Sequence, residues 1–137
     1  MKGLHILAEF HDCACAADAM LDPAAVQRLC LTACETAGLN VVGQVFHGFG
    51  RPEAPAGATG AVVLAESHLA VHTWPELDAV TFDLYVCNYS QDNRAAAEAA
   101  YRSLAEAFQP RQIVRRDVAR GSLEPITNER IPPLILP

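Results

Sequence analysis

The stretch 59–76 constrains the fold more than any other part of the chain. It sets a polar triplet, Glu66-Ser67-His68, between two apolar runs, 61–65 and 69–71. Apolar, β-branched runs of this length read as buried strand, so the triplet interrupts or joins two strands. Two ordinary readings are open. The triplet can be the tight turn of a β-hairpin, where polar residues are common. Alternatively, His68 and His72, four apart and so on one face of a strand, can be satisfied strand histidines or a metal pair. A local rule that fails at one point more often marks a functional or strained site than an error.

Around this stretch the chain alternates strand and helix patterns. Residues 4–10 read as a first strand and 11–21 as an irregular connection. Asp22-Pro23 offers a capping carboxylate followed by a proline at the first helical position. Val26, Leu29, Cys30, Ala33 and Ala37 then recur at helical spacing until Gly38. Strand resumes over 40–49, and the proline- and glycine-rich segment 50–58 is expected to lack regular structure. Strands follow over 59–66 and 68–73, ended by Trp74-Pro75. In the next strand Val80, Phe82, Leu84 and Val86 alternate with Thr81, Asp83, Tyr85 and Cys87, which puts Cys87 on the polar face. Residues 90–93 can cap a second helix with Ala97, Tyr101, Leu104 and Phe108 on its buried stripe, and 112–118 is a last strand. The expected fold is α+β: a two-layer sandwich, two helices on one face of an antiparallel sheet. The domain is expected to span 1–121. Residues 122–137, with four prolines and no periodicity, read as a surface tail.

Composition narrows the function. A chain of 137 residues, 51% of them hydrophobic, suits one compact domain. It contains no apolar run long enough for a membrane span, and its start has no signal-peptide pattern, so a cytoplasmic location is expected. A net charge of -6 argues against non-specific nucleic-acid binding. The five cysteines, an odd number, do not suggest a disulfide framework. His11, Asp12, Cys13 and Cys15 could bind a metal, but no second cluster completes a four-ligand site, and no metal is expected. Cys30 and Cys34 read as core residues.

Glu66-Ser67-His68 followed by His72-Thr73-Trp74-Pro75-Glu76 resembles the signature of the small prokaryotic S-adenosylmethionine decarboxylases. The resemblance extends from about Gly3 to Gly121, through Ala8-Glu9-Phe10, Phe46-His47-Gly48-Phe49 and the strand holding Cys87. It implies a self-processing enzyme that converts S-adenosylmethionine to CO2 and decarboxylated S-adenosylmethionine, the aminopropyl donor of spermidine synthesis. It further implies cleavage between Glu66 and Ser67 into a β chain, 1–66, and an α chain, 67–137. Ser67 would become a pyruvoyl group whose ketone forms a Schiff base with the substrate.

Such chemistry needs an electron sink that ordinary side chains lack. The sequence has no phosphate-binding glycine loop, and its single lysine is Lys2, so pyridoxal phosphate is not expected. By the same resemblance His72 is the base of processing, Thr59 the hydroxyl that steadies the oxyanion, and Cys87 the proton donor in turnover. Phe49 matches a ring that stacks on adenine and Glu76 an acid that holds the ribose hydroxyls. Here Cys87 sits in Tyr85-Val86-Cys87-Asn88, where relatives often read Thr-Cys-Gly. A straight strand would put Thr59 ~26 Å from Ser67, and the odd spacing of Ser67 and His72 would point them to opposite faces. A twofold dimer removes both difficulties, and the resemblance also implies sites at a homodimer interface. Ser67 and Cys87 of one chain would then meet Thr59, His72 and Glu76 of the other. Two rivals remain: a pyruvoyl decarboxylase of the same fold acting on ornithine or arginine, and an unprocessed homologue without activity.

Overall fold

The computed structural model describes residues 2–121. Its strands are β1 (Gly3–Cys13), β2 (Val41–Arg51), β3 (Ala54–Leu64), β4 (Ser67–Trp74), β5 (Ala79–Val86) and β6 (Pro110–Arg120). They form one antiparallel sheet in the order β2-β3-β4-β5-β1-β6. The helices are α1 (Asp18–Leu21), α2 (Pro23–Thr36) and α3 (Arg94–Phe108). The two long ones bury Val26, Cys30, Ala33 and Cys34 of α2, and Ala97, Tyr101, Leu104 and Phe108 of α3, against a single face of the sheet. This is the expected two-layer α+β sandwich. The tail at 122–137 lies outside the described residues.

Local chemistry accounts for most of these boundaries. Asp22 Oδ1 accepts from the Ala24 N–H at 3.0 Å and starts α2, and Gly38, at φ 83°, ends it. Alternation sorts the strands. Ile6, Ala8 and Phe10, Leu69 and Val71, and Val80, Phe82, Leu84 and Val86 are buried beneath the helices. Burial pushes the Cys30 and Cys34 thiols up to about 12, as expected of inert core residues. The opposite face carries His5, Leu7, Glu9, His68, His72, Trp74, Thr81, Asp83 and Tyr85. Among the described residues no helix covers it.

Two segments depart from expectation. The connection expected over 11–21 is instead the end of β1, followed by α1. Pairing with β6, at His11↔Gln112 and Cys13↔Pro110, extends β1 beyond its last partner on β5. Segment 50–58, expected to be irregular, is the tip of the β2-β3 hairpin with only Pro52 and Glu53 in the turn. Gly50 makes this possible at φ 79°, because a Cβ there would lie 2.4 Å from the Ala54 carbonyl oxygen. Pro55 is tolerated because β4 begins pairing only at Thr59, so β3 has one neighbour at that point.

Candidate active site

The polar triplet lies at the closed end of the β3-β4 hairpin. Leu64 pairs with Ser67, so a hairpin is formed but its turn is Ala65-Glu66 and not the triplet: Ser67 and His68 already belong to β4. The Ala65 N–H donates to the Asn40 carbonyl at 3.0 Å and ties the turn to the connection between α2 and β2. Ser67 Oγ accepts from the Cys87 N–H at 3.1 Å. Cys87 follows the last residue of β5 and is 7% exposed. Burial and a hydrogen bond with Cys87 hold the Tyr85 hydroxyl above its ordinary range, opposed by the Arg120 guanidinium 4.4 Å over its ring. Glu66 Oε2 accepts from Ser90 Oγ at 3.1 Å. Beside these groups is a polar hollow of about 260 Å³ lined by Asn40, Glu66, Ser67, Ser90 and Asn93.

The other predicted residues gather near the far end of the same two strands. Thr59 pairs with His72, and Thr59 Oγ1 lies 2.5 Å from His72 Nδ1. Thr73, one residue on, turns inward. Its hydroxyl accepts from the Ala58 N–H at 2.8 Å and donates to the Met20 carbonyl at 2.8 Å, pinning β4 to α1. Phe49, Ala58, His72, Trp74 and Glu76 line a cavity of about 310 Å³. Glu76 is presented by the 3-10 turn Pro75–Leu77, which closes on Asp78 at φ 48°. The Phe49 ring is exposed, edge-on to His47 at 5.1 Å. A second hollow, about 320 Å³, opens on the uncovered face between His72, Asp83, Glu9 and Arg116.

The seven predicted residues therefore form two groups within one chain: Glu66, Ser67 and Cys87 in one, Thr59, His72, Phe49 and Glu76 in the other. Thr59 is not separated from Ser67 by a straight strand, because the chain folds back at Ala65-Glu66. The hairpin nonetheless pairs Thr59 with His72, and five residues of ladder leave ~17 Å between the groups.

Sequence reasoning missed a third group. His5 Nε2 and His68 Nε2 lie 3.0 Å and 2.8 Å from the same oxygen, Asp83 Oδ2. Burial raises the Asp83 carboxyl, but the bonds from the two imidazoles outweigh it and hold the group below its usual range. Among the described residues this is the set of potential metal ligands whose donor atoms all lie within 4.8 Å of one another. Each imidazole already spends its Nε2 on that carboxylate. The proposed pair of His68 and His72 is not brought together, since His72 turns to Thr59. Nor is the 11–15 cluster: His11 contacts Glu9, Asp12 contacts Arg111, and burial, then Cys15, pushes the Cys13 thiol up to about 11.

The family model for S-adenosylmethionine decarboxylase matches residues 4–121. A protein of Pelotomaculum thermopropionicum named S-adenosylmethionine decarboxylase proenzyme is 36% identical over 119 residues, covering 87% of this chain and 86% of its own length. One of the same name from Moorella thermoacetica is 34% identical over 123 residues, 90% of each chain. The crystal structure of the adenosylmethionine decarboxylase from Aquifex aeolicus superposes with a TM-score of 0.76 at 31% identity, covering 93% of this chain and 97% of that one. The six-stranded sheet, the Ala65-Glu66 turn that presents Ser67 and these similarities lead to one family: the chain belongs to the S-adenosylmethionine decarboxylases.

Proposed function

We propose that the chain cuts itself between Glu66 and Ser67, carries the resulting pyruvoyl group at residue 67, and decarboxylates S-adenosylmethionine at sites shared by two copies. The observation that carries this reading is the separation of Ser67 and Cys87 from Thr59 and His72 along one hairpin. A base and a hydroxyl ~17 Å from the serine they serve cannot act on it within one chain. In a twofold pair, one copy's turn faces the far end of the other's hairpin, and two equivalent sites result. The uncovered face suits such a pairing, with Leu7, Val63, Trp74, Val114 and Val118 exposed on it.

In processing, the Ser67 hydroxyl attacks the Glu66 carbonyl and converts the peptide bond to an ester. His72 of the partner subunit removes the Ser67 α-proton, while Thr59 of the partner subunit donates to the oxyanion of the first step. The Glu66 carboxylate leaves with the former Oγ. Water then replaces the nitrogen of residue 67, which departs as ammonia. The pyruvoyl group supplies the electron sink that no side chain offers. Its fit rests on Ser67 standing at a strand start beside the Cys87 N–H.

During turnover, the Cys87 thiol holds the proton for the substrate carbon, with the Tyr85 hydroxyl as its neighbour. Phe49 of the partner subunit offers its ring to the adenine, and Glu76 of the partner subunit holds the ribose hydroxyls. The product is the aminopropyl donor for spermidine synthesis.

Mixed dimers test the shared site. Ser67→Ala and His72→Ala chains, differently tagged and co-expressed, are purified as the mixed pair. One site then combines intact Ser67 with intact His72 from the other chain, so the His72→Ala chain is cleaved. If that chain stays whole in a verified mixed dimer, the shared arrangement is wrong. CO2 release from S-adenosylmethionine, ornithine and arginine, supplied separately, identifies the substrate. Release from either of the last two alone would overturn the adenosyl reading.

A further inference from the structure

The cut proposed above removes most of what holds residue 67 in place. In the uncut chain Ser67 is joined to the Ala65-Glu66 turn, and its Oγ accepts from the Cys87 N–H. Self-cleavage breaks the bond to Glu66. The Ser67 oxygen departs with the Glu66 carboxylate, and the nitrogen departs as ammonia. Residue 67 then has neither a hydroxyl for Cys87 nor an N–H for the ladder. A strand that newly begins at such a residue frays unless something else ties it down.

The first side chain left to do so is His68. Its Nε2 contacts Asp83 Oδ2 at 2.8 Å, and His5, from the next strand but one, contacts the same oxygen at 3.0 Å. The register explains the convergence. His68 pairs with Tyr85 on β5, Tyr85 pairs with His5 on β1, and Asp83 stands two residues along β5 on the same face. The Tyr85 ring fills the space between, 5.7 Å from each imidazole, and the imidazoles meet edge-on at 5.9 Å. The cluster spans three strands and depends on no atom that the cut removes.

We infer that His5, Asp83 and His68 form a clamp that holds the start of β4 after self-cleavage, making His68 and Asp83 positioning residues for the group carried at residue 67. The inference rests on the self-cleavage reading. Before the cut, the covalent turn makes the clamp redundant. After it, the clamp keeps residue 67 beside Cys87. A cluster that merely stabilises the fold would matter equally in both forms.

The test compares the two forms. Asp83→Asn is made in the self-cleaving chain and in the uncut Ser67→Ala chain, and hydrogen exchange is followed in peptides covering 68–73. The clamp predicts normal self-cleavage by Asp83→Asn. Exchange at the start of β4 should then rise by roughly tenfold or more in the cut chain, the loss expected for hydrogen bonds to a charged group, and change little in the uncut one. His68→Gln, which keeps an N–H donor facing Asp83, should restore much of the protection lost in His68→Ala. Equal loss of protection in cut and uncut chains, or loss in neither, overturns the clamp, as does an Asp83→Asn chain that folds but no longer cleaves. If Asp83→Asn fails to fold, the His68 pair is compared between cut and uncut chains in the same way. Electrophoresis before any exchange measurement checks the parent reading separately: a wild-type chain that stays whole overturns self-cleavage and the clamp with it.

Discussion

Asp83 lies in β5 and Cys87 just past its end, four residues on, and their environments differ. Cys87 is buried, hydrogen-bonded to Tyr85, with its backbone N–H on Ser67, beside the proposed cut. If it is the proton donor of turnover, as proposed, it is dispensable for cleavage. Cys87→Ala should therefore give two fragments at the normal rate while decarboxylation falls by roughly 10²- to 10⁴-fold, the usual worth of a positioned acid. Electrophoresis and CO2 release on one preparation read both.

Asp83 is held below its ordinary range by two imidazoles, so the unfolded chain takes up that proton first as pH falls. Its contribution to stability is complete above the unfolded value of about 3.9 and is lost as pH drops through the lower folded value. Urea unfolding of wild type and Asp83→Asn should show a clear gap at pH 6 that closes towards pH 3. A constant gap would mean that the carboxylate's charge is not what the imidazoles bind. The family resemblance singled out Ser67, His72, Thr59 and Cys87 in the sequence. Asp83 and His5 were not, because they meet His68 only through the register of three strands. Alternation gives a side chain's face but not its neighbour across the sheet.

At the scale of elements, the β3-β4 hairpin decides the geometry of the site. Its turn was legible as an interruption of two apolar runs. The sequence already groups Thr59 with His72 and apart from Ser67, but their direct pairing across the hairpin needed the register. The β2-β3 tip was misread for a different reason. Glycine and proline usually break regular structure, but here Gly50 supplies the bulge and Pro55 lies where β3 has one neighbour. Gly60, in mid-β3, is there for space: a Cβ would lie 2.2 Å from the Phe46 ring, which packs against the core. Gly60→Ala must displace that ring and is expected to cost about 1–3 kcal/mol, as overpacking does. Urea denaturation monitored by circular dichroism measures the loss. Because the Thr59-His72 pair begins one residue away, self-cleavage should slow in the same variant.

Among the described residues, the sheet buries one face beneath α2 and α3, and no element covers the other. The two-layer architecture was legible from helix spacing and strand alternation. What covers the second face was not, because a pattern that fits half-burial does not name the partner. A charge on that face should block pairing. Val63→Arg is expected to shift the protein towards monomer in sedimentation and to leave it largely uncut, since Ser67 would lose the partner's His72. A cleaved monomer would refute the shared site.

Intact-mass measurement of the purified protein tests the proposed self-cleavage at Glu66-Ser67 most directly. Wild type should give two masses, residues 1–66 and residues 67–137 with a carbonyl in place of the first amine, and Ser67→Ala one full-length mass. A wild-type chain that remains full length, has no trappable carbonyl and still releases CO2 from S-adenosylmethionine would contradict it.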